Sequence, residues 1–148
     1  MIESGLYLHI PFCEKRCNYC NFFSSIKIDD IKNKYVDELC KEITEISKKY
    51  GNVKLNTIYF GGGTPSLLDL ADLDKIFSAI NKSFLFDKPE ITVEINPNSS
   101  DNIDKYPALG INRVSVGIQS SNDKYLRLLG RLHNSDIGRK TLEKAANI

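Results

Sequence analysis

Three cysteines within eight residues are the most reactive feature of this chain: Cys13, Cys17 and Cys20 have the spacing C-x3-C-x2-C in Cys13-Glu14-Lys15-Arg16-Cys17-Asn18-Tyr19-Cys20. A tight loop with these gaps can aim three thiolates at one centre. Thiolates are soft, charged donors that suit zinc and iron–sulfur clusters. A closed structural zinc site takes four ligands, whereas a cubane cluster held by three cysteines leaves one iron open to a substrate. Lys15 and Arg16 would offset the charge of such a cluster. Two plainer alternatives stand beside it. One is three free buried thiols, since cysteine is often buried; three in one loop, however, do not follow core periodicity. The other is zinc, with His9, four residues before Cys13, as fourth ligand. Cys40 falls among apolar positions of a helical pattern and reads as a small core residue.

Other polar residues fall where strands should end. Gly61-Gly62-Gly63-Thr64-Pro65 lets a backbone approach a ligand closely. No Gly-Lys-Ser/Thr follows, and the dinucleotide fingerprint is not matched, so on its own the run is a flexible turn. Glu94 lies in an otherwise apolar strand, sharing a face with Thr92 while Val93 and Ile95 face the other way. Its carboxylate must meet solvent at an edge or a polar partner. Gln119 follows the fourth strand, where parallel α/β folds collect ligand-binding groups. Arg131, in Leu129-Gly130-Arg131-Leu132-His133, has the fork to bond a carboxylate twice; it reads equally well as a surface charge after a helix. Tyr7 and Tyr19 are core or loop aromatics, and His133 an exposed loop histidine without a role.

The elements that must position these groups follow a strand–loop–helix rhythm. Strands are expected at residues 5–10, 55–60, 90–95 and 113–118. The cysteine loop spans about 11–25. A long helix over 30–50, capped by Asp29 or Asp30 and ended by Gly51, carries Ile31, Tyr35, Leu39, Ile43 and Ile46 on one face. A second helix, after Asp69, carries Leu70, Leu73, Ile76, Phe77, Ile80 and Phe84. A short helix over 102–109 and two more over 122–129 and 135–146 complete the pattern. Strands alternating with helices imply βαβ units and parallel pairing. An eight-unit barrel needs about 250 residues, so 148 residues hold four to five units. The expectation is a small open α/β sheet or the front part of a larger barrel.

Composition narrows the function class. Twenty Lys and Arg against nineteen Asp and Glu give +1, which excludes a strongly basic nucleic-acid binder. No run approaches the roughly 18 apolar residues that span a bilayer. Glu3 near the start stands where an export signal carries positive charge. The chain reads as cytosolic, and in a reducing compartment clustered cysteines bind metal or do redox chemistry.

The cysteine loop resembles the signature of radical S-adenosylmethionine (radical SAM) enzymes. The longer string Tyr7-Leu8-His9-Ile10-Pro11-Phe12-Cys13, with Tyr19 before Cys20 and Asn21-Phe22 after it, is similar to the branch of oxygen-independent coproporphyrinogen III oxidases and related haem chaperones. The resemblance covers nearly the whole chain. It implies an α/β fold, a partial parallel (β/α) TIM-type radical SAM barrel with about four βα units. It implies a 4Fe–4S cluster on Cys13, Cys17 and Cys20 whose open iron chelates SAM, and which on reduction splits SAM to a 5′-deoxyadenosyl radical. It implies SAM contacts from Tyr7, Tyr19, Gly62, Gly63, Thr64, Glu94, Gln119 and Arg131, with Tyr19 near the adenine. His9 is a guess at a haem-side or cluster-side residue.

Oxidases of this branch carry a fourth cysteine two residues after the third, and here that position is Phe22. The resemblance therefore favours a haem chaperone, which binds haem or a porphyrin and hands it to an acceptor protein, with a reductant such as flavodoxin or ferredoxin. Where the chaperones usually have Asp, this chain has Asn21. Radical decarboxylation of coproporphyrinogen III is the alternative, and a zinc-binding or inactive remnant a further one. Family members are more than twice as long, so residues 1–148 are expected to be the N-terminal part of the core domain, without the last barrel strands and the substrate domain. Such a piece would leave a bare sheet edge and uncovered apolar faces.

Overall fold

Four parallel strands, β1 (Ile2–Ile10), β2 (Val53–Gly62), β3 (Leu85–Ile95) and β4 (Arg113–Val116), pair in the order β1-β2-β3-β4. The computed structural model describes residues 2–26 and 28–148. The caps expected at Asp29 and Asp30 lie outside the described residues, because neither side chain is among them. Helices α1 (Ile28–Tyr50) and α2 (Leu70–Ser83) make the first two crossovers. The third is made of 3-10 turns at Pro97–Ser99 and Ile103–Leu109, where Pro107 has no N–H to continue an α-helix. Helices α3 (Asp123–Leu128) and α4 (Ser135–Ala145) follow β4. Consecutive parallel neighbours are the arrangement from which a (β/α) barrel is built; the four strands here form an open sheet with β1 and β4 at its edges.

Local chemistry explains most boundaries. Asp69 accepts from the Asp72 N–H and the Asp72 side chain accepts from the Asp69 N–H, a capping box that starts α2. Gly51 ends α1 in the left-handed region, its N–H on the Ser47 carbonyl. β3 begins five residues earlier than the expected 90. Its pairing with β2 skips from Leu55–Phe86 to Thr57–Glu90, so a bulge with Lys88 at φ 50° joins the two stretches. β4 ends two residues earlier than expected. After Gly117 the chain folds into tight turns, Ile118 N on Val116 O and Ser120 N on Ile118 O.

The two sheet faces differ. Leu8, Ile10, Ile58, Phe60, Ile91, Val93 and Ile95 are buried beneath Val36, Leu39 and Ile43 of α1 and Leu73, Ile76, Phe77 and Ile80 of α2. Each such side chain contributes about 1.5–3 kcal/mol on burial. Ile31, expected on the buried stripe of α1, is exposed. It lies at the margin of the stripe, whose next position is Lys32, bound to Asp69 and Asp72 at 2.8 and 2.7 Å. The opposite face is polar. Tyr7, Tyr59, Thr92 and Arg113 form one in-register row across all four strands. Parallel pairing brings every strand's C-terminal end, and the loop after it, to one rim.

Candidate functional site

At that rim the cysteine loop is closed on itself and tied to a distant part of the chain. Phe12 is fully buried, edge-on to Tyr35 at 5.3 Å, and anchors the loop's entry. Cys13 N donates to Ser25 O at 2.9 Å and Ser25 N to Pro11 O at 2.6 Å. The tip is pinned by Asn18, whose backbone N–H donates to Leu129 O at 3.1 Å and whose Nδ2 donates to Leu128 O at 2.8 Å. The loop therefore sits against the end of α3. All three cysteines are free thiols, Cys13 buried and Cys17 and Cys20 half-buried. Among the described residues, no three His, Cys, Asp or Glu side chains converge as the ligands of a single metal ion do. A single ion requires donors converging on one point, whereas a cluster spreads its ligands over several irons.

A cleft of about 270 Å³ opens beside the loop. Cys13, Cys17, Cys20 and Tyr19 of the cysteine loop line it together with Gly62, Gly63, Thr64 and Glu94, and Gln119 and Arg131 complete it. The structure thus gathers ten of the eleven site positions expected from the sequence. Tyr7 is the exception: it stands beside the cleft, more than half exposed, stacked on Tyr59 at 6.0 Å with its hydroxyl 3.1 Å from His9 Nδ1.

The glycine run is set by close packing. A Cβ at Gly63 would fall 2.5 Å from Phe12 O and 3.0 Å from Cys13 Sγ, so only glycine lets this loop lie against the cysteine loop. Gly62 has φ 114°, and its N–H donates to Glu94 Oε2 at 3.0 Å. The other carboxylate oxygen accepts from Tyr59 Oη at 2.7 Å. Glu94 is therefore held by fixed donors on an interior strand and is not a solvated edge residue. Burial, then the Glu94 hydrogen bond, push the Tyr59 hydroxyl above its ordinary pKa, which keeps it a donor. Tyr19 is also raised, chiefly by burial, with Arg131 acting in the opposite direction.

Arg131 is the most connected group in the site. Nη2 donates to Asn96 Oδ1 and Gly117 O, each at 2.7 Å, and Nη1 to Cys17 Sγ at 3.4 Å. It is half-buried, not a free surface charge. Its Nε is buried without a hydrogen-bond partner, a donor left for an acceptor the protein does not supply. Gln119 is exposed at the cleft with φ 67°, a strained backbone for a side chain with a Cβ and of a kind that collects at ligand sites.

The two histidines differ from expectation. His9 uses both ring nitrogens elsewhere, Nδ1 with Tyr7 and Nε2 with Phe23 O at 3.0 Å, so it does not complete a zinc site with the cysteines. His133 is buried, not exposed, with Nε2 3.1 Å from Ile118 O. Because a carbonyl only accepts, that nitrogen carries the proton. Burial, then Arg131, lower its pKa. Cys40 packs partly buried against the core with its thiol on Lys75 O, far in sequence from the other three. Asn96 and Tyr59 were not expected in the site. Asn96 looks only like a strand stop before Pro97, and Tyr59 like one more aromatic strand residue.

Known proteins resemble this chain in sequence and fold. The chain is 39% identical over 142 residues to the haem chaperone HemW of Synechocystis, covering 90% of this chain and 34% of that one. It is 34% identical to the mitochondrial radical S-adenosyl methionine domain-containing protein 1 of Danio rerio, over 99% of this chain and 34% of that one. The structure superposes on coproporphyrinogen III oxidase (HemN) from Escherichia coli, a radical SAM enzyme, with TM-score 0.89 and 29% identity, over 99% of this chain and 34% of the other. The chain thus spans about a third of the length of the relatives it matches. No helix among the described residues is long and apolar enough to cross a membrane. Residues 7–148 match the Radical SAM superfamily, and the chain belongs to that superfamily.

Proposed function

We propose that this chain is the cluster- and SAM-binding part of a haem chaperone, a protein that binds haem and passes it to an acceptor. The superfamily implies a 4Fe–4S cluster and SAM, and the residues present fit both. Cys13, Cys17 and Cys20 are thiol donors on one pinned loop. Arg131 Nε is an orphaned buried donor at the cleft, and Gly63 has the bare backbone needed for close approach. Together the cluster and SAM supply one-electron cleavage of a sulfonium. The chain's own groups bind and orient. Arg131 offers a cation to the SAM carboxylate, Glu94 an acceptor to a hydroxyl or ammonium, and the Gly62–Gly63–Thr64 backbone a close-fitting wall. Tyr19 and Phe22 add aromatic surface to the cleft lining.

The observation that carries the chaperone reading is Phe22. It lines the cleft at the position where the oxidases of this branch carry a fourth cysteine. The HemW relatives agree in name, whereas the HemN structure supports the oxidase alternative. The test uses anaerobically reconstituted protein, both as this chain and extended to the length of its relatives, of which this chain spans about a third. Haem is added while the Soret band is followed, and coproporphyrinogen III is supplied with SAM and a reductant. Stoichiometric haem uptake without coproporphyrinogen consumption is expected. Decarboxylation of coproporphyrinogen III would overturn the proposal in favour of the oxidase.

A further inference from the structure

Asn96 joins two hydrogen-bond arms that end on two different cysteine sulfurs. In one, Asn96 Nδ2 donates to Thr64 Oγ1 at 2.9 Å, and Thr64 Oγ1 donates to Cys13 Sγ at 3.7 Å. In the other, Asn96 Oδ1 accepts from Arg131 Nη2 at 2.7 Å, and Arg131 Nη1 donates to Cys17 Sγ at 3.4 Å. The amide orientation follows from chemistry. A guanidinium has donors only, so the amide oxygen must face Arg131 and the NH2 must face Thr64. Once Thr64 accepts from Asn96, its own hydrogen is free for the sulfur.

The backbone around Asn96 is equally fixed. Pro97 follows it and holds it extended, at φ −97° and ψ 144°. Its N–H donates to Ser66 Oγ at 3.3 Å, and its carbonyl accepts from Ser99 N at 3.0 Å. A Cβ at Gly117 would come within 3.0 Å of Asn96 Oδ1 and 3.3 Å of Arg131 Nη2, so a bare backbone there makes room for the pair.

We infer that Asn96 is a positioning residue that orients the Thr64 hydroxyl and the Arg131 guanidinium onto the sulfurs of Cys13 and Cys17, and so raises the reduction potential of the cluster those cysteines hold. Hydrogen bonds to ligand sulfurs stabilise the more negative, reduced cluster and are one of the levers on its potential. The inference rests on the cluster assignment of the proposed function and adds the residue that tunes it. No contact from Asn96 to a sulfur is needed; it acts through Thr64 and Arg131.

The test is an EPR-monitored redox titration of the reconstituted full chain, with iron content measured alongside. Asn96→Ala should assemble a cluster of normal iron stoichiometry whose midpoint potential is more negative than wild type. Thr64→Val, which removes the Cys13 arm alone, should shift it in the same direction by less, and Thr64→Ser should restore the wild-type value. The Asn96→Ala/Thr64→Val double variant should shift by less than the sum of the single shifts, because one arm is shared. Wild-type potentials in both Asn96→Ala and Thr64→Val would overturn the inference while leaving the cluster assignment standing. If Asn96→Ala does not fold, an unshifted Thr64→Val decides against it in the same way. A wild-type chain that assembles no cluster would overturn both.

Discussion

Tyr59 and Glu94 stand on adjacent parallel strands, and the phenol donates to the carboxylate at 2.7 Å. Gly61 makes this possible, since a Cβ there would crowd Tyr59 at 2.8 Å and Glu94 at 3.2 Å. The carboxylate is thereby aimed at the cleft instead of rotating free. Tyr59→Phe should leave cluster absorbance unchanged and raise the Kd for SAM about tenfold, the effect of losing about 1.5 kcal/mol from a hydrogen bond to a charged group. Isothermal titration of reconstituted protein with SAM checks this; unchanged affinity would mean that Glu94 needs no orientation.

Arg131 bonds three acceptors with two terminal nitrogens and keeps a third donor unpaired. Lysine has no planar fork to replace it. Arg131→Lys should weaken SAM binding by on the order of ten- to a hundredfold, the cost of losing about 1.5–3 kcal/mol. Retained SAM affinity in that variant would show that only the charge matters.

The cysteines divide three to one. Replacing Cys13, Cys17 or Cys20 singly by Ala should abolish the brown colour and bound iron of the reconstituted protein. Cys40→Ala should retain both, because that thiol packs between α1 and α2. Iron and sulfide assays on the four variants decide it; a cluster lost only in Cys40→Ala would reverse the assignment.

The cysteine loop was legible in the sequence because three thiolates in one loop have few alternative explanations, whereas a glycine run alone reads as a turn and a strand acid as a solvated edge. Cys13 identifies itself by type, and Gly63 and Glu94 by the family resemblance. Asn96 does not: an Asn before Pro at a strand end is ordinary, and its importance comes from Arg131, thirty-five residues away, arriving at its amide. The burial of His133 is hidden from the sequence for the same reason. Its burial depends on α4 and the β4 exit folding over it, which no local pattern encodes. The early start of β3 is hidden by the bulge, which breaks the alternation that reveals a strand.

His133 supplies a pH prediction. Its folded pKa is lowered, mainly by burial, so the neutral ring is favoured in the folded chain. The corresponding stability is fully present above the unfolded pKa of about 6.5 and declines as pH falls below it through the folded value. Urea midpoints should therefore drop between about pH 7 and pH 5, and His133→Gln should flatten that part of the profile. An identical pH profile in the variant would assign the loss to other groups.

The central claim is that the cysteine loop and the cleft beside it hold a cluster and SAM together. Its most direct test is the EPR spectrum of the anaerobically reconstituted, reduced chain with and without SAM. The account predicts a 4Fe–4S signal whose g-values change when SAM is added. A chain that takes up zinc and forms no cluster, or a cluster signal indifferent to SAM, would contradict it.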